Sequence, residues 1–347
     1  MSRHALPAAV IVALLALLAA PFVFSSFTVS LLNYIGVYAL VAIGLALLTG
    51  VAGIVSFGQA AFVGVAAYAT AWLSAINGYS PWLGLILAIV VTCMVAAALG
   101  AATLRLEGHF LSLSTLAWGL AIGFLFGNIE GLGNFSGISN IPPVRIGPRA
   151  LMQSWEIYYL IWAFVGLSLV LMYNLLDSRW GRAIRALRGG NVLVESLGVD
   201  AFRTKLAAFV IAAFLAALSG WLYAHMSRFI SPASFDAAMG IEYLMMAMIG
   251  GQGSLIGGVV GASIITLLKN AIQDYLPLIS PNAAGQLEVV AFSAIFIIFL
   301  QRARRGVFQD AFAGEEFVEA PDRRQRPLHA ARAQPFAAPR GDEGADI

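Results

Sequence analysis

The chain has 347 residues, of which 60% are apolar and only 11% carry a charge. Soluble domains hold about 25% charged residues, so a soluble protein of this composition could not cover its own surface with polar groups. The formal net charge of +2 is too small to suggest a nucleic-acid partner. The apolar runs are near-continuous and about twenty residues long, as membrane-crossing helices require, whereas barrel strands would alternate in polarity. The composition therefore predicts an all-α integral membrane protein.

The apolar segments, taken in chain order, predict a polytopic bundle of about ten transmembrane helices, with eight as the lower bound. The first segment follows Arg3 and fits either a retained helix or a signal peptide. Its apolar run is longer than the core of most signal peptides, which favours the helix. The segments lie at 5–24, 28–50, 54–76, 82–104, 110–129, 157–176, 206–226, 239–251, 255–270 and 285–301.

Two places in this series do not look continuously helical. The third segment opens with small and polar residues between Gly53 and Gln59, which predicts an unwound stretch. The eighth and ninth segments form one glycine-broken pair, because glycines and Gln252 occupy positions 250–253. The break is compatible with two crossings or with a re-entrant turn.

The Lys and Arg residues near the segment ends predict the orientation in the membrane. With ten crossings and the N-terminus inside, most of them fall on the inner side, as the positive-inside rule expects. Residues 303–347 are charged and rich in Ala, Pro and Arg, so they are expected to form a disordered cytoplasmic tail. The membrane domain is therefore expected at 1–302, with both termini in the cytoplasm. The basic residues assigned to the outer side are Arg145, Arg149, Arg228 and Lys269.

The inner loop at 177–206 is the most basic part of the membrane domain. Arginines recur at every third position from Arg179 to Arg188, a spacing that fits one or two turns of helix. Gly189–Gly190 breaks this pattern, and residues 192–198 form a second short amphipathic piece. Such a loop could hold lipid phosphates or place its short helix in a groove of another protein. Composition alone slightly favours the lipid contact.

Small residues recur at helical spacing in two segments. Gly253, Gly257 and Gly261 are four residues apart and predict a smooth ridge on one helix face. Ser56 and Gly64 fit the same pattern in the third segment. Such ridges allow helix backbones to approach closely in lipid, and lining a translocation path is a compatible alternative for the same residues.

Ionisable side chains inside apolar segments are costly in a membrane and are therefore candidates for function. Glu242 and Glu288 are the main examples, and the uncharged Gln59 could form hydrogen bonds between helices. The sequence shows no proton-relay series of Asp, Glu and His, no phosphate-binding glycine loop, and no cluster at metal-ligand spacing. Neither catalysis nor a metal or other cofactor is therefore expected.

Four separated motifs are similar to those of one transport family. The first three lie at Gly50–Tyr68, Arg105–Ala117 and 178–213. The fourth consists of Phe229–Phe235 together with residues in 242–257. In this order and at this spacing, over roughly residues 30–300, the chain resembles the permease subunits of ATP-driven importers for branched-chain amino acids, of the LivM type. It departs from them at Gly189–Asn191, where acidic residues are usual, and at Ser196, where alanine is usual.

The resemblance implies a permease that moves branched-chain amino acids, or related small amides or urea, delivered by a periplasmic or extracellular binding protein. It implies a heterodimer with a second homologous permease in a bacterial inner membrane, and two ATP-binding cassette subunits that hydrolyse the ATP. It also implies that the loop at 177–206 inserts into an ATP-binding subunit and passes its closure to the helices. The coupling residues so implied are Arg182, Arg185, Arg188, Glu195, Ser196, Leu197 and Gly198.

One alternative comes from a different functional class. A stand-alone secondary transporter or channel would use an ion gradient in place of ATP. Such a protein needs an ion-coupled carboxylate at membrane depth. Glu242 or Glu288 would have to supply it.

Overall fold

The computed structural model describes residues 17–106, 108–251, 253–279 and 294. They are almost entirely helical, and the named strands among them are the antiparallel two-residue pair β1 (Arg145–Ile146) and β2 (Arg149–Ala150). The helices are α1 (Ser26–Leu45), α2 (Gln59–Ala71), α3 (Pro81–Thr103), α4 (His109–Asn128), α5 (Ser154–Asp177), α6 (Arg179–Ala186), α7 (Asn191–Ser196), α8 (Ala201–Ser227), α9 (Ala237–Ile249) and α10 (Leu255–Ile279).

Seven helical segments in this part of the chain are long and apolar enough to cross a membrane, by length and composition. They correspond to the predicted segments from 28–50 to 206–226 and to 255–270, so the prediction of a polytopic helical membrane protein is confirmed. The remaining described segment, α9, has 13 residues and is shorter than a full crossing. Most of the predicted segments 5–24 and 285–301, the tail at 303–347 and Glu288 lie outside the described residues.

Helices α1, α2 and α8 form the centre of the bundle. In the most apolar stretch of each helix, the buried share of the residues is 78% for α1, 72% for α2 and 67% for α8. The same share is only 22% to 33% in α3, α4, α5 and α10. Helices α1 and α8 run antiparallel, and Ser219 Oγ donates to Val37 O at 2.9 Å. Gly44 lies directly against the backbone of Ala212. Small residues thus bring the central helices into close contact, as expected in lipid.

Aspartate side chains fix the first residues of two helices. Asp200 Oδ1 accepts a hydrogen bond from Arg203 N at 3.0 Å where α8 begins. Asp236 Oδ1 accepts one from Met239 N at 2.8 Å where α9 begins. Each carboxylate satisfies an amide that the first turn of a helix leaves unpaired.

The stretch between α1 and α2 is not helical at 52–58, as predicted. Helix α1 continues as a π-helical turn at Ala46–Val51, and the chain then reverses at Gly53, whose φ is +73°. Glycine adopts this left-handed conformation without a steric cost. Because the reversal delays the next helix, α2 begins at Gln59, later than the predicted start at 54.

The direction of α1 defines two faces of the bundle. At one face the starts of α1 and α5 meet, with Ser30 Oγ 3.0 Å from Ser154 Oγ. We call this the opposite face. At the other face, which we call the loop face, the far end of α1 meets the loop at 177–206. Arg188 Nη1 of this loop donates a hydrogen bond to Gly50 O at 3.3 Å.

Candidate coupling and translocation sites

The loop at 177–206 is a folded unit. The predicted basic helix and short helix are present as α6 and α7, and a helical turn at Leu187–Gly189 joins them. Ile184 and Val194 are fully buried and belong to the main hydrophobic core of the bundle. Burial of these side chains holds both short helices against the membrane domain.

The outward side of this loop combines charges with exposed apolar groups. Val192 is 81% exposed and Leu197 is 64% exposed. Large apolar side chains grouped on an exposed loop are typical of protein contacts. The exposed residues that form this loop surface are Trp180, Arg182, Arg185, Val192, Leu193, Glu195, Ser196, Leu197 and Gly198.

Arg188 differs from the other arginines of the loop because its guanidinium binds the membrane domain. Besides its hydrogen bond to Gly50 O, its backbone lies close to Gly53. The same carbonyl is approached from the other side by Gly253, where an added Cβ would lie 3.5 Å from it. The loop, the end of α1 and the turn before α10 therefore meet at Gly50.

The predicted glycine-broken pair is an antiparallel helical hairpin of α9 and α10. Gly257 packs against Gly250, and Gly261 packs against the backbone of Met246. The prediction that Gly253 belongs to the same ridge was wrong. With a φ of +90°, Gly253 lies in the turn, and α10 begins only at Leu255.

The small residues of the third segment also divide between a turn and a helix. Ser56 lies in the non-helical stretch, where its Oγ accepts from Gly58 N at 3.4 Å, so it does not share a helix face with Gly64. Gly64 packs against the side chain of Phe235. Gln59 is only 1% exposed, and neither atom of its amide has a hydrogen-bond partner among the described residues.

Glu242 forms an ion pair that the sequence had not suggested. Lys269 Nζ lies 2.8 Å from Glu242 Oε1, and the two side chains are 39% and 15% exposed. Lys269, which the sequence assigned to the outer side, lies inside α10 and not in a connecting loop. A carboxylate inside the membrane usually pairs with a basic side chain. A search for such a partner near Glu242 in the sequence could have identified Lys269.

We expect Lys269→Met to destabilise the protein, because it leaves the Glu242 carboxylate without its partner in a largely buried setting. Adding Glu242→Gln should recover much of the loss, with a coupling energy of about 0.5–3 kcal/mol between the two positions. Thermal unfolding of the four variants in one detergent measures this coupling. Additive effects of the two substitutions would show that the pair does not stabilise the fold.

Tyrosines on three helices form a cluster of neighbouring rings. The ring of Tyr38 is 5.9 Å from that of Tyr34 and 5.7 Å from that of Tyr243. Tyr223 on α8 lies 6.4 Å from Tyr34. Sequence reasoning missed this cluster because its members are far apart in the chain and follow no common period.

A helical membrane bundle with a folded basic loop, a buried unpaired amide and an intramembrane ion pair has the features of a transport permease. Comparison with known families agrees, since the model of the family described as "Branched-chain amino acid transport system / permease component" matches residues 27–300. The chain belongs to this family. It is therefore a multi-pass permease component of a transport system, and a transport subunit rather than an enzyme.

Individual relatives agree with this assignment. The chain is 31% identical to the high-affinity branched-chain amino acid transport system permease protein LivM of Escherichia coli (strain K12), over 76% of this chain and 68% of that protein. It is 30% identical to the protein of the same description from Salmonella typhimurium, over 74% of this chain and 66% of that protein. It is 28% identical to permease protein LivH of Escherichia coli, over 42% of this chain and 43% of that protein. The chain thus spans about two thirds of the length of these LivM relatives.

Proposed function

We propose that this chain is one of two permease subunits of an ATP-driven importer for branched-chain amino acids in a bacterial inner membrane. The loop at 177–206 docks on a cytoplasmic ATP-binding subunit, and a soluble binding protein delivers cargo to the opposite face. The observation that carries the proposal is the loop itself, which is folded onto the core yet exposes a charged and apolar surface.

Docking of this loop on a protein is favoured over a contact with lipid alone. Lipid phosphates would be satisfied by arginines, but Val192 and Leu197 would remain exposed to water in such an arrangement. A groove on a protein partner covers both kinds of group. Glu195, exposed between these apolar residues, would repel anionic lipid and fits a basic position on a partner.

The contacts at Gly50 supply the route from the loop to the membrane helices. A displacement of α6 and α7 moves Arg188, which is bonded to the end of α1. Gly253 lies against the same end and leads into α10, which packs on α1 through Gly258. Coupling through packed elements requires such an unbroken series of contacts. We therefore assign to Arg188 a role in transmission, and to the exposed residues of the loop surface the contact with the ATPase.

The remaining partners and the orientation follow from the same reasoning. Similarity to both LivM and LivH proteins supports a heterodimer of two related permeases. The arginines of the loop face favour a cytoplasmic position of that face by the positive-inside rule, and we propose that both termini are on the same side. The binding protein then meets the opposite face. Gln59 stays a candidate pathway residue, whose buried amide would have to become accessible when the helices move.

The alternative of an ion-driven transporter depends on Glu242 or on Glu288, and Glu288 lies outside the described residues. Glu242 is engaged by Lys269 and is not a free carboxylate for a coupling ion. Among the described residues there is no group of three His, Cys, Asp or Glu side chains placed to hold a cation.

The test is reconstitution of the chain with its partner permease and the ATP-binding subunits in liposomes. We expect uptake of labelled leucine that requires ATP and the binding protein and persists when ionophores collapse all ion gradients. Omission of the ATP-binding subunits should abolish it. Uptake that follows an ion gradient without ATP would refute the proposal. A cysteine placed at Val192 should react only with thiol reagents that reach the cytoplasmic side.

A further inference from the structure

The non-helical stretch at 52–58, which we call the junction, is bonded at its start to the end of α1. Ile54 N donates to Leu48 O at 2.8 Å. Just before the junction, Arg188 of the loop bonds Gly50 O. Beyond residue 54 the backbone leaves α1, and its polar groups need partners from other segments.

Side chains of α4 supply such partners at the end of the junction. Thr115 Oγ1 accepts a hydrogen bond from Phe57 N at 3.1 Å and donates one to Ser112 O at 2.9 Å. Ser112 Oγ donates to Val55 O at 3.3 Å. Thr115 is fully buried, and a buried amide without an acceptor costs free energy. The two hydroxyls, which belong to the motif at Arg105–Ala117, therefore fix the junction to α4.

Close packing leaves the end of the junction little room to move on its own. A Cβ at Gly58 would collide with the ring of Trp118 and would lie 3.0 Å from Thr115 O. Gly240 of α9 packs against Phe57 O. Close-packed contacts of this kind compress little and transmit strain. A displacement of the junction is therefore passed to α4 and is not absorbed at the contact.

Helix α4 is buried at two separate places. Its buried residues are Leu111, Ser112 and Thr115 near its start, and Phe126 and Gly127 near its end. Every residue between Thr115 and Phe126 is at least partly exposed. A helix held mainly at two places can tilt as a rigid body when one of them is displaced. The contact with the junction is the one near its start.

We propose that Thr115 is a positioning residue that makes α4 a further output of the loop at 177–206, besides α1 and α10. The series of contacts runs from Arg188 through Gly50 and the junction to the Thr115 hydroxyl. Coupling is carried by contiguous contacts of this kind. The inference rests on the proposed function for the ATP-driven movement of the loop. Without the hydroxyl, the loop still docks on the ATP-binding subunit, but α4 no longer follows it.

The test compares Thr115→Val with the unaltered chain in liposomes that hold the complete importer. Valine keeps the shape of threonine but has no hydroxyl to accept from Phe57 N. We expect leucine uptake to fall by about tenfold, while ATP hydrolysis and co-purification of the ATP-binding subunits stay within about twofold. The ATP consumed per leucine rises accordingly. A merely structural loss would lower both rates together and leave this ratio unchanged.

Two further variants serve as controls. Thr115→Ser keeps the hydroxyl and should recover most of the uptake. Thr92→Val is the matched control, because Thr92 is fully buried in α3 and its Oγ1 has no hydrogen-bond partner among the described residues. It should leave the ATP consumed per leucine unchanged. An unchanged ratio in Thr115→Val, or the same rise in Thr92→Val, would overturn the proposal.

A variant of the neighbouring serine decides the matter if Thr115→Val fails to fold. Ser112→Ala removes only the longer bond to Val55 O, so it should raise the ATP consumed per leucine by about twofold. An unchanged ratio in Ser112→Ala would then overturn the proposal.

Hydrogen exchange of the full-length protein in lipid nanodiscs reports on the junction directly. Peptides that cover 52–58 should exchange faster in Thr115→Val and in Ser112→Ala than in the unaltered chain, because each variant loses a bond that holds the junction. Thr92→Val should not change their exchange. Unchanged exchange in the first two variants would show that the hydroxyls do not hold the junction, and the proposal would fail.

The outcomes for the junction and for transport can be told apart. ATP-dependent uptake with an unchanged ratio in every variant would eliminate the role of Thr115 and leave the importer intact. Uptake by the unaltered chain that does not require ATP would refute the importer and the role of Thr115 together, even if the exchange experiment confirmed the hydrogen bonds.

Discussion

We expect Gly198→Pro to abolish ATP-driven leucine uptake while the protein still inserts into the membrane. Gly198 has a φ of +74°, whereas proline is fixed near −65°. Its amide also donates to Glu195 O at 2.9 Å, and proline has no amide proton to replace this bond. The substitution therefore breaks the end of α7, where the loop surface carries Glu195 and Leu197.

The measurement is uptake alongside co-purification of the ATP-binding subunits. Loss of uptake with loss of co-purification would show that the loop docks, and loss of uptake alone would show that it transmits. Gly78→Pro is the control, since Gly78 also has a positive φ and open surroundings but lies outside the loop. Glu195→Arg should likewise reduce uptake by reversing a charge on the loop surface. Normal uptake and co-purification in both loop variants would refute the coupling role.

Gly261→Ala should have the largest effect on folding. A Cβ at this position would collide with the carbonyl oxygen of Met246 and lie 2.9 Å from Gly250 N. Both contacts are with backbone, so no side-chain rotation relieves them, and α9 and α10 must move apart. Overpacking of this kind costs about 1–3 kcal/mol or more. We expect the melting temperature in detergent to fall by about 2–5 °C.

The matched control for this variant is Gly166→Ala in α5. A Cβ at Gly166 meets no atom within 4 Å, so the melting temperature should stay within about one degree of the wild type. The half-buried Cys93, the one cysteine of the chain, offers an independent measure through its rate of reaction with thiol dyes. Equal stability of both alanine variants would show that the hairpin tolerates separation.

The site could be predicted from the sequence where local chemistry decides it. The arginine spacing from Arg179 to Arg188 and the glycines after it produced a basic helix and a short helix in the expected order. Which arginine bonds to the membrane domain was not predictable, because Arg188 is distinguished only by the position of Gly50, far away in the chain. The partner of Glu242 was missed for a similar reason, since Lys269 lies on the neighbouring helix of a hairpin.

The sequence by itself determined that this chain is a helical membrane protein and where most of its crossings lie. Hydrophobic length decides both, because lipid leaves every crossing segment to satisfy its own backbone. Only the tertiary structure decided which polar groups meet. The contacts of Arg188 with Gly50, of Glu242 with Lys269 and of Thr115 with Phe57 each join distant segments through helix packing. Packing depends on the shapes of whole helix faces, and no local pattern in the chain encodes those pairings.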